Sequence, residues 1–110
     1  MPRKLKEFRI TFKRVSPGED AVDGKSLGLQ SKLGGDPRWI QQDETPSCSA
    51  CFQPMSFVGQ IDSVEHDADN NPLRVDCIRG NADYMFGDVG LTYVFFCFDC
   101  LTTQSVFQCT

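Results

Sequence analysis

Apolar and polar positions alternate in several short stretches of this chain, and helical periodicity is absent. Phe8, Ile10 and Phe12 alternate with Arg9, Thr11 and Lys13, the period-two pattern of a half-buried strand. Met55, Phe57, Gly59 and Ile61 alternate in the same way with Ser56, Val58, Gln60 and Asp62, which predicts a second strand. Residues 90–98 carry the strongest pattern: Leu91, Tyr93, Phe95 and Cys97 on one face, Thr92, Val94, Phe96 and Phe98 on the other. Both faces are largely apolar, so this strand is expected to be central and covered on both sides. Thr103 to Gln108 predicts a last strand, hairpin-paired with it. Leu73 to Ile78 fits a short strand or one helical turn equally well. No stretch has the periodicity of an amphipathic helix.

Turn-forming residues separate these runs. Ser16-Pro17-Gly18 ends the first, and residues 16–37 read as one long Gly/Pro-rich connection within the domain, with Leu27, Leu29 and Leu33 expected to dock against some part of it. Gly34-Gly35-Asp36-Pro37 is a tight turn leading Trp39 inward, because paired glycines permit backbone that a Cβ forbids. His66 to Pro72 is a polar turn cluster. The expectation is a mostly β fold: a small antiparallel β domain with long irregular connections, residues 1–110 forming a single domain.

Composition narrows the setting. A chain of 110 residues builds only a shallow core, so a staple adds much to its stability. No run reaches the 18 or so apolar residues of a membrane span. The start, MPRKLKEFRI, lacks the apolar stretch of a secretory signal. A cytoplasmic protein is therefore expected, and there thiols stay reduced. In an exported form the six cysteines would instead suggest a disulfide framework. Arg3, Lys4, Lys6, Arg9, Lys13 and Arg14 make the first 14 residues locally basic, although the net charge is −4. These bases suit the solvent face of an edge strand, where charge prevents edge-to-edge pairing. An acidic body is a poor nucleic-acid binder, so neither nucleic acid nor membrane is expected as a partner.

The chemistry lies in two pairs, Cys48-Ser49-Ala50-Cys51 and Cys97-Phe98-Asp99-Cys100. Each pair supplies two sulfurs from one tight turn, and two such turns face to face make a tetrahedron. Four thiolates are a characteristic structural zinc set. The expected ligands are Cys48, Cys51, Cys97 and Cys100 around a structural Zn2+, in a zinc-ribbon-like CxxC/CxxC site; iron fits the same donors. One detail opposes this reading. Zinc knuckles usually place a small residue, often Gly, after the second cysteine, and here Phe52 and Leu101 stand there. Cys77 reads as a small core residue and Cys109 as a loose thiol, either able to replace a ligand.

A catalytic CxxC sits at a helix N-terminus, which neither pair begins. His66 stands in a polar loop with no nucleophile to serve. Asp83 and Asp88 could do acid–base work, but such acids more often cap turns. Gly24-Lys25-Ser26 lacks the upstream glycine and the helix of a phosphate loop, and the 66–72 acids lack the glycine and closing Glu of a calcium loop.

Three stretches carry a resemblance. Ser31 to Gln41, with Lys32, Gly34-Gly35, Pro37 and Trp39, resembles the K-x-G-G-x-P-x-W signature of the YwqG-like family, bacterial domains of unknown function. Pro54 to Ile61 resembles its P-M-x-F-x-x-Q-I/L strand, and Gly87-Asp88-Val89-Gly90 with Tyr93 to Cys97 its G-D-x-G-x-x-Y-x-F-x-C strand. The match covers about residues 31 to 108. The first two signatures are more distantly similar to the programmed-cell-death-two family of ribosomal-protein chaperones. The resemblance implies a β-rich fold, with CxxC pairs in some members, and no established catalytic activity. In physical terms, Pro37 and Trp39 enter the core, and Gln60 satisfies a buried backbone group. The expected function is a structural-zinc protein-interaction module whose partner is another, unidentified protein, and not an enzyme. The alternatives are a thiol oxidoreductase, or another small enzyme using Asp83, Asp88 and His66, and a metal-free ligand-binding or toxin-neutralising domain.

Overall fold

The computed structural model describes residues 2, 4, 5, 7, 9–19, 30–63 and 90–109. Among them four strands form one antiparallel sheet: β1 (Lys32–Leu33), β2 (Ser56–Asp62), β3 (Gly90–Cys97) and β4 (Thr102–Cys109), lying in that order, and no helix is present. The small antiparallel β fold is as expected. His66, Leu73–Ile78, Cys77, Asp83, Asp88, Leu27 and Leu29 lie outside the described residues.

The alternation in β3 sets the core. Leu91, Tyr93, Phe95 and Cys97 are buried, together with Met55 and Cys48. Trp39 closes over them, its ring 4.5 Å from that of Tyr93 and 6.0 Å from that of Phe95. The strand is central, flanked by β2 and β4, but among the described residues the expected cover on both faces is realised on one. Thr92, Val94 and Phe96 are half-buried and Phe98 is exposed. Lateral neighbours shelter these side chains instead: the Phe96 ring meets Phe98 edge-on at 4.8 Å.

Two readings are corrected. The alternation at Phe8–Lys13 does not yield a strand: residues 9–15 are unpaired with the sheet, and Ile10 and Phe12 are 71% and 76% exposed. Alternation defines a face, but a strand also needs a free edge to pair with, and this segment takes none. Arg9, Lys13 and Arg14 therefore do not decorate an edge strand. The other correction lies within the 16–37 connection, where Lys32–Leu33 form β1 against Gln60 and Gly59. Two residues carry no readable period. Their approach depends on Gly59, where an added Cβ would lie 2.7 Å from Leu33 Cδ2 and 2.8 Å from the Lys32 carbonyl. Leu33 thus docks on Gly59 while staying largely exposed. The pairing shifts register between Phe57 and Gly59, a bulge in β2.

The Gly34-Gly35 turn forms as anticipated, both residues at φ 72°. Lys32 Nζ donates to the Asp36 carbonyl and stands 5.7 Å from the Phe57 ring centre. Beyond the turn, residues 38–42 run over the sheet without strand pairing, and long polar side chains supply their backbone partners. Gln60 accepts from the Arg38 N–H at 3.0 Å and donates to the Gln30 carbonyl at 2.6 Å. The Tyr93 hydroxyl donates to the Arg38 carbonyl at 2.6 Å. Burial pushes that phenol up to about 12, so it keeps its proton. Gln108 accepts from the N–H groups of Ile40 and Gln41, each at 3.0 Å, and donates to the Gln42 carbonyl at 2.7 Å.

Candidate metal centre

The two CxxC pairs sit in turns of one design. The first turn follows buried Pro46, whose carbonyl accepts from the Met55 N–H, and its flanks bridge at Ser47 and Pro54. The second is the hairpin turn joining β3 to β4. Phe52 N–H donates to the Cys48 carbonyl and Leu101 N–H to the Cys97 carbonyl, both at 2.8 Å. Both donors are left-handed, φ 62° at Phe52 and 57° at Leu101. The backbone therefore takes the glycine conformation at each knuckle without a glycine. The missing glycine weighed against a knuckle, yet the φ preference is a cost on the order of 1–2 kcal/mol per residue, not a prohibition.

Sheet topology brings the turns together. The first turn runs directly into β2 and the second begins at the end of β3, and Ser56 of β2 pairs with Phe96 of β3. The sulfurs of Cys48, Cys51, Cys97 and Cys100 all lie within 4.8 Å of one another. Cys51 Sγ and Cys97 Sγ are 3.8 Å apart. Four thiolates about 2.3 Å from a central zinc ion stand about 3.8 Å from each other, so the donor set fits the ion in number, chemistry and span. All four are free cysteines. Cys48 and Cys97 are buried and Cys51 and Cys100 half-buried, so each turn offers one inner and one outer sulfur.

Supporting groups orient and tune the sulfurs. The Thr102 hydroxyl lies 3.4 Å from Cys48 Sγ, and the Ala50 N–H donates to the same sulfur at 3.4 Å. The Thr102 hydroxyl, then the backbone N–H groups of Cys51 and Ala50, hold the Cys48 thiol down at about 6. At Cys51 the Gln53 N–H pulls the thiol down, but burial and the neighbouring Cys97 and Cys48 thiols outweigh it, and the net direction is up. At Cys100 the adjacent Cys51 and Cys48 thiols, with burial, push the thiol up to about 12. Cys51 and Cys100, crowded against neighbouring sulfurs, are thus disfavoured as thiolates unless a cation lies beside them. Metal binding supplies that cation and deprotonates its ligands.

Sequence reasoning found all four sulfurs but not Thr102, a contact between residues 54 positions apart. Cys109 pairs with Gly90 at the opposite end of the β3–β4 ladder from Cys97 and Thr102, and has no place in the cluster. The chain is 31% identical over 80 residues, 73% of its length, to the uncharacterized protein YpfL of Salmonella typhimurium. It spans about 15% of that protein's length. No protein-family model matches the chain, and no solved structure matches it significantly. Among the described residues no helix is long and apolar enough to cross a membrane.

Proposed function

We propose that the chain is a zinc-stapled β module whose metal is structural and whose function is to bind another protein in the cytoplasm. The convergence of four sulfurs from two matched knuckles carries this reading. Zinc held by Cys48, Cys51, Cys97 and Cys100 has four protein ligands and no position left for a reacting water, which supports a structural over a catalytic role. Within this reading the chain stands with the YwqG-like domains. The turn at Gly34-Gly35 and the backbone contacts of Gln60 give physical roles to residues of that signature.

Elemental analysis of the purified, untagged protein, with thiols counted before and after chelation, tests the metal. One zinc per chain with four thiols masked is the expected result. Iron in its place would show as visible charge-transfer absorption and change the metal but not the module. No metal and fast-reacting thiols would overturn the reading. A second reading, a thiol oxidoreductase, draws support from the lowered Cys48 thiol. Against it, Cys48 is only 1% exposed, where a redox thiol must meet its substrate. Disulfide exchange with a small-molecule disulfide, faster than that of a free cysteine, would favour this second reading.

A further inference from the structure

The two edges of the sheet differ. On one side β1 is two residues long and carries Lys32, the short and charged form that protects an edge. On the other side β4 runs eight residues, Thr102-Thr103-Gln104-Ser105-Val106-Phe107-Gln108-Cys109, with no charge, no proline and no register shift against β3. Phe107 stands on it 47% exposed.

Which backbone groups of β4 face outward follows from its far end. Gly90 gives its N–H and its carbonyl to Ser63, so it turns toward the β2 side and is not bonded to Cys109, its opposite residue in β4. Antiparallel pairs alternate between bonded and non-bonded. Thr102, Gln104, Val106 and Gln108 therefore bond to β3, and Thr103, Ser105, Phe107 and Cys109 direct their N–H and C=O groups away from it. The Cys109 carbonyl confirms this direction, since it accepts from Gln41 Nε2 at 2.7 Å. That contact caps the end of the strand. Among the described residues nothing meets the outward groups of Thr103, Ser105 and Phe107.

We propose that β4 is a self-association edge, pairing antiparallel with β4 of a second copy about a two-fold axis at Ser105. In this register Ser105 faces its own symmetry mate, and Thr103 faces Phe107 of the other copy. Those pairs consume all three outward N–H groups and all three outward carbonyls of each chain, and pairing stops where Gln41 already caps Cys109. No other register centred within the strand uses the full set. On the core-facing side Gln104 meets Val106, and on the opposite side Thr103 meets Phe107, so no like charges oppose each other. Each chain carries a net charge of −4, so two copies repel on balance, and β4 is an uncharged strip along which they can approach. A two-fold axis makes the contact isologous and closed, giving a dimer with one continuous eight-stranded sheet and not a fibre.

The test is molar mass by light scattering and sedimentation across a dilution series of the full chain with its metal bound. The wild-type mass is expected to rise from the 12.3 kDa of one chain toward twice that value with concentration. Ser105→Pro removes an outward N–H without touching the β3 ladder, and Ser105→Lys sets two ammonium groups face to face at the axis. Both are expected to remain monomeric throughout, with metal content and masked thiols unchanged as evidence that the sheet is intact. A wild-type protein that stays monomeric at every concentration overturns the proposal. So does a dimer that both substitutions leave unaffected, or a mass that grows without limit. Metal content is read separately, so failure of the dimer does not disturb the assignment of the cysteine cluster.

Discussion

Phe52 and Leu101 are one residue position met twice. Each follows the second cysteine of its pair, each is left-handed, and each donates to the carbonyl of the first cysteine at 2.8 Å. Both side chains are largely exposed, at 78% and 74%, so the backbone conformation costs energy that little side-chain burial returns. Phe52→Gly and Leu101→Gly are expected to stabilise the metal-bound protein. Relief of the left-handed conformation, about 1–2 kcal/mol, outweighs the added chain entropy of glycine, about 0.5–1 kcal/mol. Urea midpoints at saturating zinc check this. Val at either position is expected to lower the midpoint, and a lower midpoint with Gly would show that the exposed side chains hold the knuckles.

Metal affinity is expected to fall as pH falls, because ligand protonation competes with the ion. The sign follows from the thiols. Cys100, held up at about 12, and Cys51, also raised, carry protons at neutral pH in the metal-free protein, and binding displaces them. Cys48, held at about 6, begins to compete only below that value, so the loss steepens there. A chelator-competition titration at several pH values reads the slope. Thr102→Val removes the largest influence lowering Cys48 and is expected to move its titration upward, seen in the thiolate ultraviolet absorbance of the metal-free protein. An unmoved titration would remove Thr102 from the site.

Gly59→Ala is expected to dislodge β1. The new methyl group would meet both a side-chain atom of Leu33 and the Lys32 carbonyl, and only the side chain can swing aside. The cost is about 1–3 kcal/mol, the range for overpacking. Adding Leu33→Ala is expected to restore only part of it, since the carbonyl contact remains. Full recovery in the double variant, measured by denaturation midpoint, would show that the backbone approach is not the constraint.

Gln108→Leu is expected to release residues 40–42 from the sheet. It strands the Gln41 N–H and the Gln42 carbonyl, each worth about 1–3 kcal/mol if it stays buried, and leaves the Ile40 N–H with only the Tyr93 hydroxyl at 3.2 Å. Trp39, the single tryptophan, packs on Tyr93 and Phe95 beside this segment. Its emission should shift to the red in the variant. An unchanged spectrum and midpoint would mean that water replaces Gln108 without loss.

The readable parts of this fold were those where a residue's role repeats along the chain. The alternation from Leu91 to Cys97 placed β3 in the centre, and two equal cysteine spacings marked the four cysteines that cluster. Gln60 was legible because a buried amide in a strand needs a polar partner. What could not be read depends on single encounters between distant positions. Lys32–Leu33 became a strand because Gly59 leaves room for them, and Thr102 reached Cys48 only once the sheet had formed. Phe8, Ile10 and Phe12 mislead for the opposite reason: their period is right, but Ile10 and Phe12 face solvent with no neighbouring strand beside them. The knuckle positions show a preference mistaken for a requirement, since Phe and Leu adopt what glycine adopts at lower cost.

The contact between Ser63 and Gly90 locks the end of β2 to the start of β3. Ser63 donates to the Gly90 carbonyl through its N–H at 3.2 Å and through its hydroxyl at 2.7 Å, and Gly90 N–H returns to that hydroxyl at 3.1 Å. Ser63 and Gly90 are thus clasped at one point on the rim, at the end of β3 opposite the four-cysteine cluster. The clasp behaves as a selvedge: it finishes the β2–β3 pairing one residue beyond its last strand pair, so the rim is secured by a side chain and not by a further length of strand.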